Sequence, residues 1–146
     1  MIVYLMRHGE ADSKVPDSER ELTERGIKQV SSVAQKLKER SIEVSNIFHS
    51  GFVRAKQSAE LVSQVLKREQ EPIMKEGLAP EDNPSVWHKQ LADMNEDILI
   101  VGHNPFMSKI SMYLAGPLNY CEFQTATIAA YQKKGQEWEF LWKLTP

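Results

Sequence analysis

The chain has 146 residues, a formal net charge of −2, 41% hydrophobic residues and 26% charged residues. This composition is ordinary for a globular protein, and it shows neither the polar excess of a disordered chain nor the basic excess of a nucleic-acid-binding protein. The length suits one domain, and the sequence contains no recognisable leader and no apolar run of membrane-spanning length. We therefore expect a cytoplasmic protein that has no nucleic-acid or membrane partner.

The first element is an apolar run at residues 2–6, which predicts a strand buried on both faces. This strand ends at Arg7, His8 and Gly9. Ligands of open α/β sheets bind beyond the carboxyl ends of strands, so Arg7 and His8 are candidates for an anion binder and a nucleophile. Gly9 would let a substrate approach the backbone closely. The alternative is a pair of surface charges at a strand end.

A polar segment and a helix come next. Residues 10–21 have no apolar period and predict a loop beside His8, which either covers a site or lies idle on the surface. Thr23 is a suitable N-cap for a helix over residues 24–40. The apolar residues of this helix recur at helical spacing and are expected to face the core: Ile27, Val30, Val33, Ala34 and Leu37.

A second strand is predicted over residues 44–49, followed by a turn at 50–52 and another amphipathic helix. Arg54 stands in the first turn of that helix. A cation at a helix N-terminus costs a few tenths of a kcal/mol to about 1 kcal/mol, and an anion nearby would compensate for this cost. A solvated arginine is the alternative interpretation.

The middle of the chain carries weaker signals. Residues 72–74 predict a brief third strand, and residues 76–84 form a turn-rich segment that contains Glu76. A short helix is predicted over residues 86–94, with Pro84 near its start. The single cysteine, Cys121, excludes an intramolecular disulfide, and it has no cationic neighbour, so a buried or idle thiol is expected.

The segment 97–105 repeats the design of the first strand, because an apolar strand again ends at glycine and histidine, here Gly102 and His103. Asn104 as N-cap and Pro105 at the first helical position predict a helix. His103 would then lie at a helix N-terminus, where free amide groups favour an anion. A core histidine bonded to a carbonyl group is the alternative.

Two closing strands are predicted over residues 126–132 and 138–144. The aromatic residues of the second strand alternate, which predicts that they share one buried or half-buried face: Trp138, Phe140 and Trp142. Aromatic residues in such a pattern are interpreted as packing.

Strands that alternate with helices predict a largely parallel sheet, in which the carboxyl ends of different strands meet at one edge. Four side chains would converge there: Arg7, His8, Arg54 and His103. Two guanidinium groups and two imidazoles suit a tetrahedral dianion held by bidentate arginines. Histidine-rich metal sites usually recruit carboxylates or thiolates, so we expect neither a metal ion nor a cofactor.

Several motifs, taken in order along nearly the whole chain, resemble the histidine phosphatase superfamily. They are Arg7-His8-Gly9, the segment 20–23 with Gly26, the segment 50–59 and Gly102-His103. The short length is most similar to that of the SixA-type phosphohistidine phosphatases. Gly51 and Ser58 depart from the family pattern, which often has proline and threonine at these two places.

The resemblance implies a fold and a set of roles. The fold would be a single-domain, three-layer α/β sandwich over residues 1–146, phosphoglycerate mutase-like, with a mostly parallel central sheet between helices. His8 would be the nucleophile that becomes transiently phosphorylated. The phosphoryl oxygens would be bound by three side chains, Arg7, Arg54 and His103. Gly9 and Arg20 would also belong to the substrate-binding set.

Leaving-group chemistry favours phosphohistidine on a protein as the substrate, because imidazole needs little help to leave beyond one proton. The partner would be a phosphohistidine-bearing protein, with a phosphotransfer domain as one candidate. For attack, one nitrogen of His8 must be unprotonated while the other donates to a backbone carbonyl such as that of Gly9. Two alternatives remain: a phosphatase for a small phosphomonoester with Glu76 as general acid, and an inactive phosphate-binding module.

Overall fold

The computed structural model describes residues 1–146. The strands are β1 (Ile2–Arg7), β2 (Asn46–His49), β3 (Ile73–Met74), β4 (Ile98–Gly102), β5 (Ile128–Lys134) and β6 (Glu137–Leu144). The helices are α1 (Glu24–Glu39), α2 (Val53–Val65), α3 (Pro84–Ala92) and α4 (Phe106–Ala115). None of these helices has the length and apolarity needed to cross a membrane.

The strands form one six-stranded sheet in the order β3-β2-β4-β1-β5-β6. Three pairs are parallel: β1 with β4, β4 with β2, and β2 with β3. Two pairs are antiparallel: β1 with β5, and β5 with β6. The two apolar strands predicted to be buried on both faces, β1 and β4, lie at the centre of the sheet. The predicted α/β fold is therefore confirmed, and its sheet is mixed.

Two hydrophobic cores lie on opposite faces of the sheet, because alternate side chains of each strand point to opposite faces. On one face, Leu5 and Ile100 pack with Trp87 of α3 and Phe106 of α4. On the other face, apolar residues of β1 and β4 pack with α1 and α2: Tyr4, Met6, Leu99, Val101, Val30, Val33, Ala55 and Ala59. The sheet is thus the middle layer of three.

Helix α1 begins as predicted, with the Thr23 hydroxyl accepting a hydrogen bond from the Gly26 N–H at 3.0 Å. The stripe predicted from the sequence is buried except for Ile27, whose relative exposure is 44%. The expectation that Ile27 faces the core is therefore wrong. Ile27 lies beside the buried stripe, in a shallow hollow that α1 shares with Leu61 of α2.

The start of α4 also differs from the prediction, because Pro105 takes the cap position and Asn104 lies outside the helix. The Asn104 amide donates a hydrogen bond to the Phe123 carbonyl oxygen at 2.7 Å. Asn104 therefore ties the loop before β5 to the end of β4 and does not cap the helix. Only the folded chain brings Phe123 close enough to compete for this side chain.

The aromatic residues of β6 do not share one face as predicted. A register irregularity between Ala130 and Tyr131 pairs Tyr131 with Phe140 and Ala130 with Trp142. Trp142 consequently packs against Tyr4, with 5.7 Å between ring centroids, on the α1 and α2 side of the sheet. Trp138 belongs to the core on the other side. A β-bulge shifts the alternation of a strand by one residue, which explains the difference.

Candidate active site

The parallel pairing of β1 and β4 brings the two predicted histidines together. Arg7 is in register with Gly102, so the residues that follow, His8 and His103, lie side by side at the carboxyl edge of the sheet. The His8 N–H donates to the Gly102 carbonyl oxygen at 2.9 Å, and the two ring centroids are 5.1 Å apart. Both side chains are buried. This edge is where ligands of parallel sheets bind.

The turn after β2 supplies a second wall of the site. Ser50 Oγ lies 2.6 Å from His103 Nε2, and the Phe52 ring centroid lies 4.8 Å from that of His103. This turn leads into α2, whose first turn carries Arg54. The Arg54 side chain is buried, and its guanidinium carbon lies 5.1 Å from the Phe52 ring centroid. The structure therefore brings all four predicted core side chains to one place.

His8 is held in a single tautomer by its two neighbours. Its Nδ1 donates to the Gly9 carbonyl oxygen at 2.6 Å, which is the bond expected from the sequence. Its Nε2 accepts from Arg54 Nε at 3.1 Å, so Nε2 carries the lone pair. Burial lowers the pKa of His8 to about 4; the bond to Gly9 opposes this shift, and the charges of Arg54 and Arg7 reinforce it. The imidazole is thus neutral at pH 7, with its one proton on Nδ1.

His103 is also neutral at physiological pH. The pKa of its imidazole is lowered to about 3, chiefly by burial and in smaller part by the nearby His8 and Arg54. One of its nitrogens contacts the Ser50 hydroxyl, but Nδ1 is buried without a hydrogen-bond partner in the chain. Buried polar atoms rarely lack a partner, so this nitrogen is available to a ligand.

Three arginines concentrate positive charge at the site. Burial lowers the pKa of the Arg7 guanidinium, and repulsion from Arg54 and Arg20 lowers it further, because all three lie close together. Arg7 Nη1 donates to the Phe123 carbonyl oxygen at 3.0 Å, while its Nε has no partner in the chain. The site is therefore locally cationic in a protein whose net charge is −2. Such a site attracts anions.

The loop over residues 10–21, predicted as irregular, contacts this cationic cluster. It contains a short 3₁₀ turn, and the carboxylate of Asp17 lies 3.2 Å from Arg20 Nη1 and 3.3 Å from Arg54 Nη2. Desolvation alone would raise the pKa of the Asp17 carboxyl, but the hydrogen bond from Arg20 and the charge of Arg54 outweigh it, so the pKa is lowered. Asp17 was not identified from the sequence, where only its position in a loop beside His8 was visible.

Gly9 has a structural role that the sequence did not reveal. A Cβ atom on Gly9 would lie 2.8 Å from the Gly26 carbonyl oxygen, so glycine is needed where this loop crosses α1. The Gly9 N–H donates to Ser58 Oγ at 3.1 Å, and that hydroxyl donates to the Arg54 carbonyl oxygen at 2.7 Å. Ser58 therefore connects the loop after His8 to the first turn of α2.

Glu76 is not connected to this cluster. It follows β3, which is separated from β1 by β2 and β4, or by about 14 Å at the usual spacing between strands. Its side chain is exposed and forms no hydrogen bond or ion pair, and its carbonyl oxygen accepts from Trp87 Nε1 at 2.9 Å. Its role as general acid stays a prediction.

Cys121 forms no hydrogen bond with the four converging side chains. Cys121 is a buried free thiol, and burial raises its pKa, as suits an idle cysteine. Histidine, cysteine and carboxylate side chains form no group of three or more that could hold a metal ion.

Sequence comparisons identify relatives of this chain. A family model described as histidine phosphatase superfamily (branch 1) matches residues 3–90. The phosphohistidine phosphatase SixA of Escherichia coli K12 is 26% identical over 152 aligned residues, which cover 100% of this chain and 94% of SixA. The mitochondrial serine/threonine-protein phosphatase Pgam5 of Drosophila ananassae is 33% identical over 92 residues. That match covers 59% of this chain and 32% of Pgam5, so it spans about a third of that relative.

Comparison with solved structures supports the same fold. The structure of the protein histidine phosphatase SixA complexed with tungstate superimposes with a TM-score of 0.94 at 25% identity. The superposition covers 99% of this chain and 97% of the SixA chain. The predicted architecture therefore matches a solved structure over its whole length.

Proposed function

Because the chain belongs to the histidine phosphatase superfamily (branch 1), we propose that it hydrolyses phosphohistidine on a protein through a covalent phospho-His8 intermediate. The observation that carries this proposal is the state of His8, whose Nδ1–H is bound to the Gly9 carbonyl oxygen while Nε2 faces Arg54 with its lone pair. A nucleophilic imidazole needs this arrangement of proton and lone pair.

In the first step, His8 Nε2 attacks the phosphorus atom. The new bond forms where Arg54 Nε now donates to Nε2, so the guanidinium transfers its hydrogen bond to a phosphoryl oxygen. The bond from phosphorus to the nitrogen of the substrate histidine breaks, and its electron pair stays on that nitrogen. The low pKa of His8, about 4, keeps the attacking nitrogen unprotonated at neutral pH.

In the second step, water attacks the phosphorus atom of phospho-His8. The bond between phosphorus and Nε2 breaks, its electron pair returns to Nε2, and the protons of the water leave with the phosphate. His8 is thereby restored with its proton on Nδ1. No separate base is required in this scheme, because the departing imidazole of His8 is neutral.

The surrounding side chains suit a tetrahedral phosphoryl group. Arg7 and Arg54 supply guanidinium N–H groups, which bind phosphoryl oxygens in bidentate fashion. His103 Nδ1 lacks a partner in the chain and is available as a further contact. Donors fixed in a buried site stabilise charge that develops in the transition state more strongly than donors in water do.

Two observations favour phosphohistidine over a phosphate ester. Glu76, the candidate general acid for esters, is exposed, and its side chain forms no hydrogen bond or ion pair. Release of an alkoxide requires a general acid, whereas a protonated phosphohistidine releases neutral imidazole. Similarity to SixA along the whole chain points the same way. The proposed partner is a phosphohistidine-bearing protein, such as a phosphotransfer domain. We propose that residues 1–146 act on this partner as a single domain.

The proposal is tested by trapping and by comparison of substrates. The wild-type protein is mixed with a phosphohistidine-bearing protein and quenched in alkali, and acid-labile, base-stable phosphate is mapped to a residue. We expect phosphate on His8, none in His8→Ala, and a higher kcat/KM for phosphohistidine than for phosphoserine. His88→Ala, which alters a histidine of α3 outside the site, is the matched control and should retain activity.

Two outcomes would overturn the proposal. Full activity of His8→Ala would refute the covalent mechanism. A strong preference for phosphoserine or sugar phosphates would favour the phosphomonoester alternative. Labelling of His8 also separates an enzyme from an inactive phosphate-binding module, because a module would not form the covalent adduct.

A further inference from the structure

Asp17 is the only carboxylate that pairs with the arginines of the site. Its carbonyl oxygen accepts from Arg54 Nη1, and its carboxylate lies 3.3 Å from Arg54 Nη2. The same guanidinium donates to His8 through Nε at 3.1 Å. His8 and Asp17 therefore lie at opposite ends of one planar group.

The two ends differ in their access to solvent. The relative exposure of His8 is 5%, whereas the Asp17 side chain is 59% exposed. The line from His8 to Asp17 along the guanidinium thus runs from the buried interior to the protein surface. Asp17 lies on the side from which a phosphorylated partner protein must approach.

The geometry of phosphoryl transfer places the leaving group on that same side. The attacking and leaving atoms stand on opposite sides of phosphorus, roughly in line. Because His8 attacks from the buried floor, the leaving group faces the entrance, where the Asp17 carboxylate stands. From this arrangement we propose that Asp17 is a specificity-determining residue that binds the protonated ring nitrogen of the departing imidazole. This inference rests on the proposed function.

The chemistry of the two substrate classes explains how Asp17 would favour phosphohistidine over a phosphate ester. In phosphohistidine, one ring nitrogen carries phosphorus and the other can carry a proton. When the phosphorus–nitrogen bond breaks, the electron pair stays on the first nitrogen, the proton stays on the second, and neutral imidazole departs. Asp17 remains ionised throughout and accepts a hydrogen bond from that N–H. An ester releases a negatively charged oxygen, which the same carboxylate repels.

Arg20 keeps the carboxylate in place during this step. It lies 3.2 Å from Asp17 and is itself held through its Nη2, which donates to the Ala11 carbonyl oxygen at 3.4 Å. When the N–H groups of Arg54 bind phosphoryl oxygens, the ion pair between Asp17 and Arg20 remains. Arg20 is therefore a positioning residue that acts through Asp17.

The test compares leaving groups in one variant. Asp17→Asn keeps the shape of the side chain and removes its charge. We measure kcat/KM with a phosphohistidine peptide and with p-nitrophenyl phosphate, which releases an anion. Asparagine can still accept this hydrogen bond, but a charged acceptor binds more strongly than a neutral one, so the preference for phosphohistidine should fall by about tenfold. The ratio of the two kcat/KM values is unaffected by a disturbance of Arg54 that slows both reactions equally.

Two further variants complete the design. Asp17→Glu restores the charge and should recover most of the preference. Glu19→Gln removes a neighbouring exposed carboxylate of the same turn and should leave the preference unchanged. An equal loss on both substrates in Asp17→Asn would show that Asp17 only supports Arg54, and would overturn the inference while leaving the proposed function intact. A wild-type protein that cleaves p-nitrophenyl phosphate but not phosphohistidine would instead overturn the proposed function.

Discussion

Arg54 Nε donates a hydrogen bond to His8 Nε2 at 3.1 Å. The lone pair that would attack phosphorus is therefore occupied by a side chain proposed to bind the phosphoryl oxygens. Arg54 fixes the orientation of the imidazole and is at the same time within reach of the group that His8 would attack. Only a side chain with several donors can contact His8 and Asp17 together.

Replacement of Arg54 by lysine should lower kcat/KM by about 100-fold or more. Lysine keeps the positive charge, but its single ammonium group cannot reproduce the planar fork that contacts both neighbours. The measurement is steady-state hydrolysis of p-nitrophenyl phosphate. Arg68→Lys is the matched control, since Arg68 donates to the Ser45 carbonyl oxygen at 2.8 Å, away from the site. A kcat/KM of Arg54→Lys within threefold of wild type would contradict the role assigned to the fork.

Protonation of His8 should make the fold less stable in mild acid. The pKa of His8 is lowered to about 4 in the folded protein, against about 6.5 in an unfolded chain, so the unfolded chain binds more protons between these values. The contribution of His8 is complete above pH 6.5 and is lost as the pH falls towards 4. Proton linkage at His8 should lower the free energy of unfolding by about 2 kcal/mol between pH 7 and pH 5.

Urea unfolding at pH 7 and pH 5 measures this effect. The decrease in the free energy of unfolding should be about 2 kcal/mol smaller in His8→Gln than in the wild type, because glutamine does not titrate. His88→Gln serves as the comparison for the loss of an imidazole outside the site. Equal decreases in His8→Gln and the wild type would show that His8 titrates normally.

Replacement of Ser50 by alanine should lower kcat by about tenfold and change KM less. The Ser50 hydroxyl lies 2.6 Å from His103 Nε2, and its removal leaves that buried nitrogen without a partner and the ring free to reorient. The comparison variant is Ser63→Ala, which alters another buried serine, in α2. If kcat of Ser50→Ala equals that of the wild type, His103 is held by other contacts.

Oxyanions that resemble phosphate should bind at the four converging side chains. We expect vanadate and tungstate to inhibit competitively, and Arg7→Gln to raise the inhibition constant by about tenfold or more, because a charge-assisted contact is lost. Inhibition of p-nitrophenyl phosphate hydrolysis is the measurement. Full activity at saturating vanadate would count against the pocket.

Replacement of Gly26 by alanine should destabilise the fold by about 1 to 3 kcal/mol, even though alanine favours a helix. A Cβ atom there would overlap the Glu10 carbonyl oxygen, so the loop after His8 would be displaced from α1. Urea unfolding measures the effect, and Gln35→Ala at an exposed position of α1 is the control. An unchanged midpoint of the urea unfolding transition would mean that the loop can move away from α1 without a loss of stability.

Much of the site could be predicted because its signals are local. An apolar strand that ends at Arg7-His8-Gly9, a second that ends at Gly102-His103 and an arginine in the first turn of a helix are all visible without coordinates. Parallel pairing in an alternating α/β chain then brings strand ends to one edge. The structure places these side chains together, while their catalytic roles stay predictions.

Other features depended on contacts between distant segments. Nothing near Asp17 in the chain indicates that it meets Arg54, and nothing near Asn104 indicates that it binds the Phe123 carbonyl oxygen. The bulge that moves Trp142 to the other face of the sheet is likewise a property of the pairing of β5 with β6.

The sequence by itself determined the strands, the helices and which ionisable residues stand at strand ends, because hydrophobic period and helix capping act over a few residues. The tertiary structure decided which donor meets which acceptor: Arg54 contacts His8 at one end of its guanidinium and Asp17 at the other. Such pairings depend on strand order and register, which are set by the packing of the whole chain.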